Sequence, residues 1–211
     1  MRIESSPSPV QVAPERTPST PTELRTALAR AHKRVTGKEA TSATLDILTA
    51  QVCHETARGE KMYNFNFGGI KGAGPTGKTA ACMTRECLDS GDVRIKQNFR
   101  AYDSLEQGAV DYLSMMKSRF SSAMSQAERG DVNGFAHALK ESHYYTAPEA
   151  EYASSLRSLA GKTGANPSTT PSSYVPSDPN AFPDVASMTH FMEAIALSIG
   201  RIGRSSDDED T

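Results

Sequence analysis

The stretch of sequence that decides the fold covers residues 54–72 and reads HETARGEKMYNFNFGGIKG. It begins in the last turns of a predicted helix that starts near Ser42 and ends at Gly59. At about 100° per residue, Leu48 and Glu55 lie within about 20° of each other around the helix axis. Glu55 therefore continues the apolar face of this helix, where desolvation and the helix dipole both raise its expected pKa.

Glu55 is a candidate general acid, because cleavage of a glycosidic bond needs a donor that is still protonated near neutral pH. Position alone favours this role no more than an ordinary surface glutamate, or a buried one paired with Arg58 or Lys61. His54 and Glu55 also begin a metalloprotease motif, but Arg58 stands where that motif requires its second histidine. The sequence thus excludes a metalloprotease of this type.

The loop after this helix combines aromatic and amide side chains in a glycine-rich stretch. Rings pack on the apolar face of a sugar, and amides bond its hydroxyl and acetamido groups. The residues predicted to bind sugar here are Tyr63, Asn64, Asn66 and Phe67. The alternative is a structural loop that folds onto the core through Phe65 and Phe67. The chain has no tryptophan, so any sugar stacking falls to Tyr and Phe.

Composition excludes several classes of function. The formal net charge is −2, so no overall positive field attracts the chain to nucleic acid or to an anionic membrane. The three cysteines, Cys53, Cys82 and Cys87, fit no zinc signature and are expected to be free thiols. No metal and no cofactor is predicted. No stretch of the sequence is long and apolar enough to span a membrane.

Five segments follow from the composition. Residues 1–20, in which Pro and Ser recur, are predicted to be disordered, and residues 21–163 form the folded domain. Residues 164–181 are predicted to be a linker of Pro, Ser and Thr, residues 182–204 an amphipathic helix, and residues 205–211 an acidic, solvated tail. The first 20 residues carry no apolar run, so they are not expected to be a secretory signal peptide.

Within the folded domain, the periodicity predicts an α+β fold that is mostly helical, with a small β-hairpin lobe. Capping residues mark the helix starts: Thr20 with Pro21 and Glu23, Ser104 with Gln107, Asp131, and Pro148. Residues 79–87 and 93–99 alternate weakly around Asp89-Ser90-Gly91-Asp92, which predicts the hairpin.

Four blocks of sequence, in order, resemble a known family. The first two are Glu55 and Asn66-Phe67-Gly68-Gly69-Ile70-Lys71. The third is Phe99-Arg100-Ala101-Tyr102-Asp103-Ser104 with Asp111-Tyr112-Leu113, and the fourth is Tyr144-Tyr145-Thr146-Ala147-Pro148 with Tyr152-Ala153. Across about residues 42–160 the chain resembles the bacterial glucosaminidases of glycoside hydrolase family 73, which include autolysins and flagellar-rod peptidoglycan hydrolases. The resemblance implies a lysozyme-like fold.

The resemblance also implies roles for single residues. Glu55 matches the family's essential general acid, and Glu86 matches the segment that supplies a second carboxylate. Tyr144 matches the active-site tyrosine, whereas Tyr145 stands where the family has a small residue, so Tyr144 is the favoured cleft residue. Lys71 and Tyr145 join the residues predicted to bind the substrate.

The sequence leaves the mechanism open. Glu86 would act as base for an attacking water if the two carboxyls lie about 6.5–9.5 Å apart, and as nucleophile at about 5–5.5 Å. A third route uses the acetamido group of the substrate as nucleophile.

The predicted function is an endo-β-N-acetylglucosaminidase that hydrolyses the β-1,4 bond of GlcNAc–MurNAc strands in peptidoglycan. The alternative enzymes are a lysozyme or a lytic transglycosylase, which cut the other linkage; the non-enzymatic alternative is a wall-binding or assembly module. The protein is expected to be a bacteriolytic, secreted effector in the periplasm or cell wall, delivered by a specialised secretion system or a phage. Residues 182–204 are expected to dock on the domain itself, on a secretion chaperone or on a neutralising protein.

Overall fold

The computed structural model describes residues 8–88 and 91–163, and the side chains of residues 84–94 lie outside this description. The described elements are β1 (Val10–Val12), α1 (Pro21–Thr36), α2 (Ser42–Glu55), β2 (Lys78–Leu88), β3 (Gly91–Arg100), α3 (Leu105–Arg119), α4 (Ser121–Arg129), α5 (Val132–Glu141) and α6 (Glu149–Thr163). The predicted α+β fold, with a helical body and a small β lobe, is confirmed. The predicted linker, amphipathic helix and acidic tail of residues 164–211 lie outside the described residues.

The predicted helix starts are formed by local hydrogen bonds. At the start of α1, the Thr20 hydroxyl accepts from the Glu23 N–H at 3.2 Å, and the Glu23 carboxylate accepts from the Thr20 N–H at 2.7 Å. Ser104 and Asp131 cap α3 and α5 through the N–H groups three residues further on. Gly37 ends α1 at φ 77°, a left-handed conformation that glycine adopts without strain.

The predicted end of α2 at Gly59 is wrong by one turn, because the helix ends at Glu55. The Thr56 hydroxyl donates to the Val52 carbonyl at 2.6 Å and accepts from the Gly59 N–H at 2.9 Å, which closes the helix. Gly59 has φ 88°, and a Cβ there would lie 1.8 Å from the Ser19 carbonyl oxygen. Only glycine fits this close approach, so Glu55 sits at a helix end fixed by a compact reversal of the chain.

The core is built from the inward faces of the helices. α2 lies at its centre and packs on α1, α4 and α6, while α3 packs on α1. The largest fully buried apolar and aromatic side chains are Leu24, Leu28, Ile47, Leu48, Met62, Phe67, Ile70, Tyr112, Leu113, Phe135 and Tyr144. Across residues 8–88 and 91–163, no helix combines the length and apolar character that crossing a membrane requires.

The β lobe confirms the predicted hairpin and adds a strand to it. β2 and β3 pair antiparallel from Thr79↔Arg100 to Leu88↔Gly91. β1 pairs with β2 in parallel, with Val10 opposite Lys78, so the order of the sheet is β1-β2-β3. The sequence analysis did not predict β1.

The N-terminal strap, residues 10–19, corrects the prediction that residues 1–20 are disordered. Residues 1–7 lie outside the description, but the strap runs along the segment that follows Glu55. The Thr17 N–H donates to Met62 O at 3.0 Å, and the Ser19 N–H donates to Gly59 O at 3.1 Å. These contacts join backbone groups far apart in sequence, so a composition rich in Pro and Ser carries no sign of them.

We predict that Thr17→Val destabilises the domain. Thr17 is 8% exposed, and its hydroxyl accepts from the Phe65 N–H at 2.8 Å. Valine keeps the shape but leaves that donor unsatisfied, which costs about 1–3 kcal/mol in the free energy of unfolding. Thermal or urea unfolding measures the loss. The control is Thr26→Val on the exposed face of α1, for which we expect a change within about 0.5 kcal/mol. Equal stability of the two variants would contradict an ordered strap.

Candidate active site

Glu55 is the last residue of α2, and its side chain lies in the core with 9% of its surface exposed. The hydroxyl of Tyr152 on α6 donates a hydrogen bond of 3.3 Å to Glu55 Oε1. Among the described residues no cation forms an ion pair with this carboxyl, which excludes the alternative of pairing with Arg58 or Lys61. Burial raises the pKa of Glu55 to about 8, and the hydrogen bond from Tyr152 opposes that shift in part.

Three buried tyrosines surround this carboxyl. Tyr112 lies on α3, Tyr144 in the segment between α5 and α6, and Tyr152 on α6. Burial raises the pKa of all three well above the ordinary value, and a negative charge on Glu55 raises each of them further. Their hydroxyls therefore stay neutral, so this part of the site surrounds Glu55 with polar groups that carry no formal charge.

Tyr144 and Tyr145 are neighbours in sequence with different surroundings. The Tyr144 ring packs edge-on against Phe120 at 5.2 Å between centroids, and a Cβ at Gly68 would lie 3.5 Å from its hydroxyl. The Tyr145 hydroxyl instead donates to the Ala136 carbonyl at 3.0 Å. The fold thus brings Tyr144 close to Glu55 and to the loop at Gly68. Tyr145 was predicted to bind substrate, but its hydroxyl is bonded to the backbone.

Comparisons with known proteins identify the family. The sequence model of the glucosaminidase family, described as mannosyl-glycoprotein endo-beta-N-acetylglucosaminidase, matches residues 33–164, which is more than half of the chain. The chain belongs to the glucosaminidase family. The resemblance to glycoside hydrolase family 73 is thereby confirmed, and the protein is a glycoside hydrolase.

Two solved structures resemble this glucosaminidase. The catalytic domain of the autolysin Auto from Listeria monocytogenes has a TM-score of 0.54 at 23% identity, covering 71% of this chain and 87% of that one. A peptidoglycan hydrolase mutant from Sphingomonas sp. A1 has a TM-score of 0.50 at 28% identity, covering 68% of this chain and 90% of that one. The predicted lysozyme-like fold is confirmed. Among curated proteins, no sequence matches the chain.

The amide of Asn66 holds the loop of the glucosaminidase together and does not reach out for a sugar. Its Nδ2 donates to the carbonyls of Ile70 at 2.9 Å and Arg100 at 3.0 Å. Its Oδ1 accepts from the Ile70 N–H at 2.8 Å. Both N–H donors of the amide are used, and the side chain is 6% exposed. The predicted sugar-binding role of Asn66 is therefore corrected to a structural one.

Asn64 and Phe67, like Asn66, make structural contacts in place of the predicted sugar binding. The Asn64 Nδ2 donates to the Ala13 carbonyl at 3.1 Å, and its Oδ1 accepts from the Glu15 N–H at 3.1 Å, so the amide binds the N-terminal strap. Phe67 is fully buried and stacks on Tyr112 with 6.1 Å between the ring centroids. The structural alternative, a loop that folds onto the core, is correct for Phe67.

The remaining predicted site residues lie near the loop or on the hairpin. Tyr63 is half-buried, and its backbone pairs with Arg16 of the strap. Lys71 is half-buried, and its backbone pairs with Phe99 of β3. Glu86 lies on β2 opposite Val93, and its side chain is outside the description. Sugar binding by Tyr63 and Lys71 and a catalytic role of Glu86 stay predictions.

The sequence analysis missed one polar residue of the site, Gln51. Gln51 lies one helical turn before Glu55 and is fully buried, and the Tyr112 hydroxyl donates to its Oε1. The spacing of Gln51 and Glu55 could have indicated this, because residues four apart share a helix face.

In the described ranges, no group of three His, Cys, Asp or Glu side chains is placed to hold a metal ion.

The block that begins at Phe99 proves to be structural. Arg100 on β3 forms an ion pair of 2.7 Å with the buried Asp111 of α3, and the Tyr102 hydroxyl donates to the same carboxylate oxygen at 2.5 Å. These bonds join the end of the hairpin to the helical body. They fix the position of β3 relative to the loop that Asn66 holds.

We predict that Asn66→Ala costs about 2–4 kcal/mol in the free energy of unfolding. The substitution removes three hydrogen bonds and leaves buried backbone groups without partners. Chemical denaturation measures the change. Asn98→Ala is the matched control, since Asn98 is exposed and accepts one bond from Gln11. A variant Asn66→Ala with wild-type stability and weakened binding of glycan would instead restore the sugar-binding role.

Proposed function

We propose that this glucosaminidase hydrolyses the β-1,4 bond of GlcNAc–MurNAc strands in peptidoglycan, with Glu55 as the general acid. The observation that carries the proposal is the burial of Glu55 among neutral hydroxyls with no described cation beside it. A carboxyl in these surroundings keeps its proton near pH 7, as a general acid requires. The likeness at 28% identity to a protein described as a peptidoglycan hydrolase supports the substrate.

The proton has a defined path in this proposal. The glycosidic oxygen takes the proton of Glu55 as its bond to C1 of GlcNAc breaks, and positive charge develops on the sugar ring. The carboxylate that forms is stabilised by the Tyr152 hydroxyl, which already contacts Oε1. A water molecule adds to C1, its proton passes to a base, and Glu55 regains a proton from solvent before the next turnover.

We propose Glu86 as the second carboxylate, because it occupies the hairpin that borders the helical body. β2 itself packs on the helical body, since Ala80 is buried and Cys82 lies against the core. The family resemblance assigns Glu86 to the segment that supplies a second carboxylate, and a carboxylate on the hairpin would serve as base or nucleophile.

The site of action follows from the substrate. Peptidoglycan lies outside the cytoplasmic membrane, so we propose that the protein acts in the periplasm or cell wall and that its action is bacteriolytic. We also propose delivery as a secreted effector. The amphipathic sequence of residues 182–204 supports docking of that segment on a chaperone or neutralising protein.

We predict that Glu55→Gln lowers turnover of purified peptidoglycan by roughly 10²–10⁴-fold, because glutamine cannot donate the proton. The control is Glu60→Gln, which alters an exposed carboxyl five residues away and should keep wild-type turnover. Mass spectrometry of the wild-type digest then names the bond. Reducing GlcNAc ends support the proposal, reducing MurNAc ends identify a lysozyme, and 1,6-anhydro ends identify a lytic transglycosylase. Full turnover by a folded Glu55→Gln variant would contradict Glu55 as the acid. A wild type that releases no muropeptides, with a Glu55→Gln variant that keeps the biological activity, would favour the non-catalytic wall-binding module.

In the same digestion, Glu86→Gln separates the routes for the attacking group. A role as base or nucleophile predicts a loss of at least 10²-fold. Retained turnover would leave the acetamido group of the substrate as nucleophile and would contradict our assignment of Glu86.

A further inference from the structure

Tyr152 is held on both sides of its ring, and its hydroxyl meets the proposed acid. Tyr145 stacks on one side with 3.9 Å between centroids and 16° between the ring planes. His54 meets the ring edge-on, at 5.0 Å and 83°. The ring is 4% exposed, and its hydroxyl donates to Glu55 Oε1 at 3.3 Å. Packing therefore fixes the direction of this donor without help from the substrate.

A donor at one oxygen distinguishes the two oxygens of a carboxylic acid. The carbonyl-type oxygen is the better acceptor, so a neutral Glu55 that accepts at Oε1 carries its proton on Oε2. The bond of 3.3 Å is long for an O–H donor, and such bonds shorten when the acceptor becomes a carboxylate. The same hydroxyl thus contributes little before proton transfer and more after it.

We propose that Tyr152 is a positioning residue that directs Glu55 to deliver its proton from Oε2 and stabilises the carboxylate left behind. This inference rests on the proposed role of Glu55 as general acid. No role for Tyr152 followed from the sequence, where it appeared only as part of the block that begins at Tyr144.

Among the described residues, the titratable groups that face Glu55 from the elements packed around it are neutral near pH 7. They are Tyr112 from α3, Tyr144 from the segment before α6, and Tyr152 from α6. His54 precedes Glu55 on α2, and burial lowers the pKa of its imidazole. A change in the pH profile on altering Tyr152 is therefore assigned to Glu55.

The test is the pH profile of kcat/KM on purified peptidoglycan for Tyr152→Phe, with Tyr102→Phe as the matched control. Activity falls as pH rises through the pKa of the acid. Tyr152→Phe removes the bond that favours the carboxylate, so this limb should move up by about half a unit to one unit, and kcat should fall about tenfold with KM unchanged. Tyr102→Phe loses a buried hydroxyl that donates to Asp111 and not to Glu55, so its limb should stay in place.

A second substitution should move the limb of the pH profile in the opposite direction. Replacement of Tyr152 by 2-fluorotyrosine keeps the ring and strengthens the donor while the buried hydroxyl stays neutral, so the limb should move to lower pH. A limb that stays in place in both Tyr152 variants, at wild-type folding by circular dichroism, would overturn the inference. Glu55→Gln separates the two claims: if it leaves turnover intact, the proposed acid itself is wrong, whereas its loss of turnover with an unmoved limb refutes only the role of Tyr152.

Discussion

The structure depends on a carboxyl group that is buried without a described counter-ion. An ionised carboxylate in such surroundings is costly, by several kcal/mol even after relaxation, so the fold is compatible with Glu55 mainly in its neutral form. Between the ordinary pKa of 4.5 and about 8, the folded chain holds a proton at Glu55 that the unfolded chain has released. Stability from this group is therefore greatest below the lower value and is lost as pH rises through the upper one. This loss of stability arises at the position where a general acid is needed.

Two sets of contacts keep the segment after Glu55 in place. On one side, the N-terminal strap bonds the segment between Gly59 and Phe65. On the other side, Asn66 ties the loop to β3, and the ion pair of Arg100 with Asp111 ties β3 to α3. The match to the glucosaminidase family begins at residue 33, so the strap lies outside it. This chain thus supports the family's site with a segment that the family model does not cover.

The sequence predicted those features that depend on local or periodic signals. Capping residues placed the starts of α1, α3 and α5, and the helical period placed Glu55 in the core. It failed where the deciding contacts are non-local. The strap is held by backbone groups of residues 40 or more positions away. An asparagine such as Asn66 bonds a carbonyl as readily as a sugar hydroxyl. The end of α2 was also missed, because a threonine such as Thr56, whose hydroxyl closes the helix, has no distinctive pattern in the sequence.

The direct test of the account is the pKa of Glu55 itself. A titration followed by NMR of protein carrying ¹³C-labelled glutamate carboxyls, with Glu55→Gln to assign the signal, measures it in the folded protein. The account predicts a midpoint near 8, with the carboxyl protonated at neutral pH. A midpoint near the ordinary value of 4.5 would show that the group is ionised where the enzyme must donate a proton, and would contradict Glu55 as the general acid.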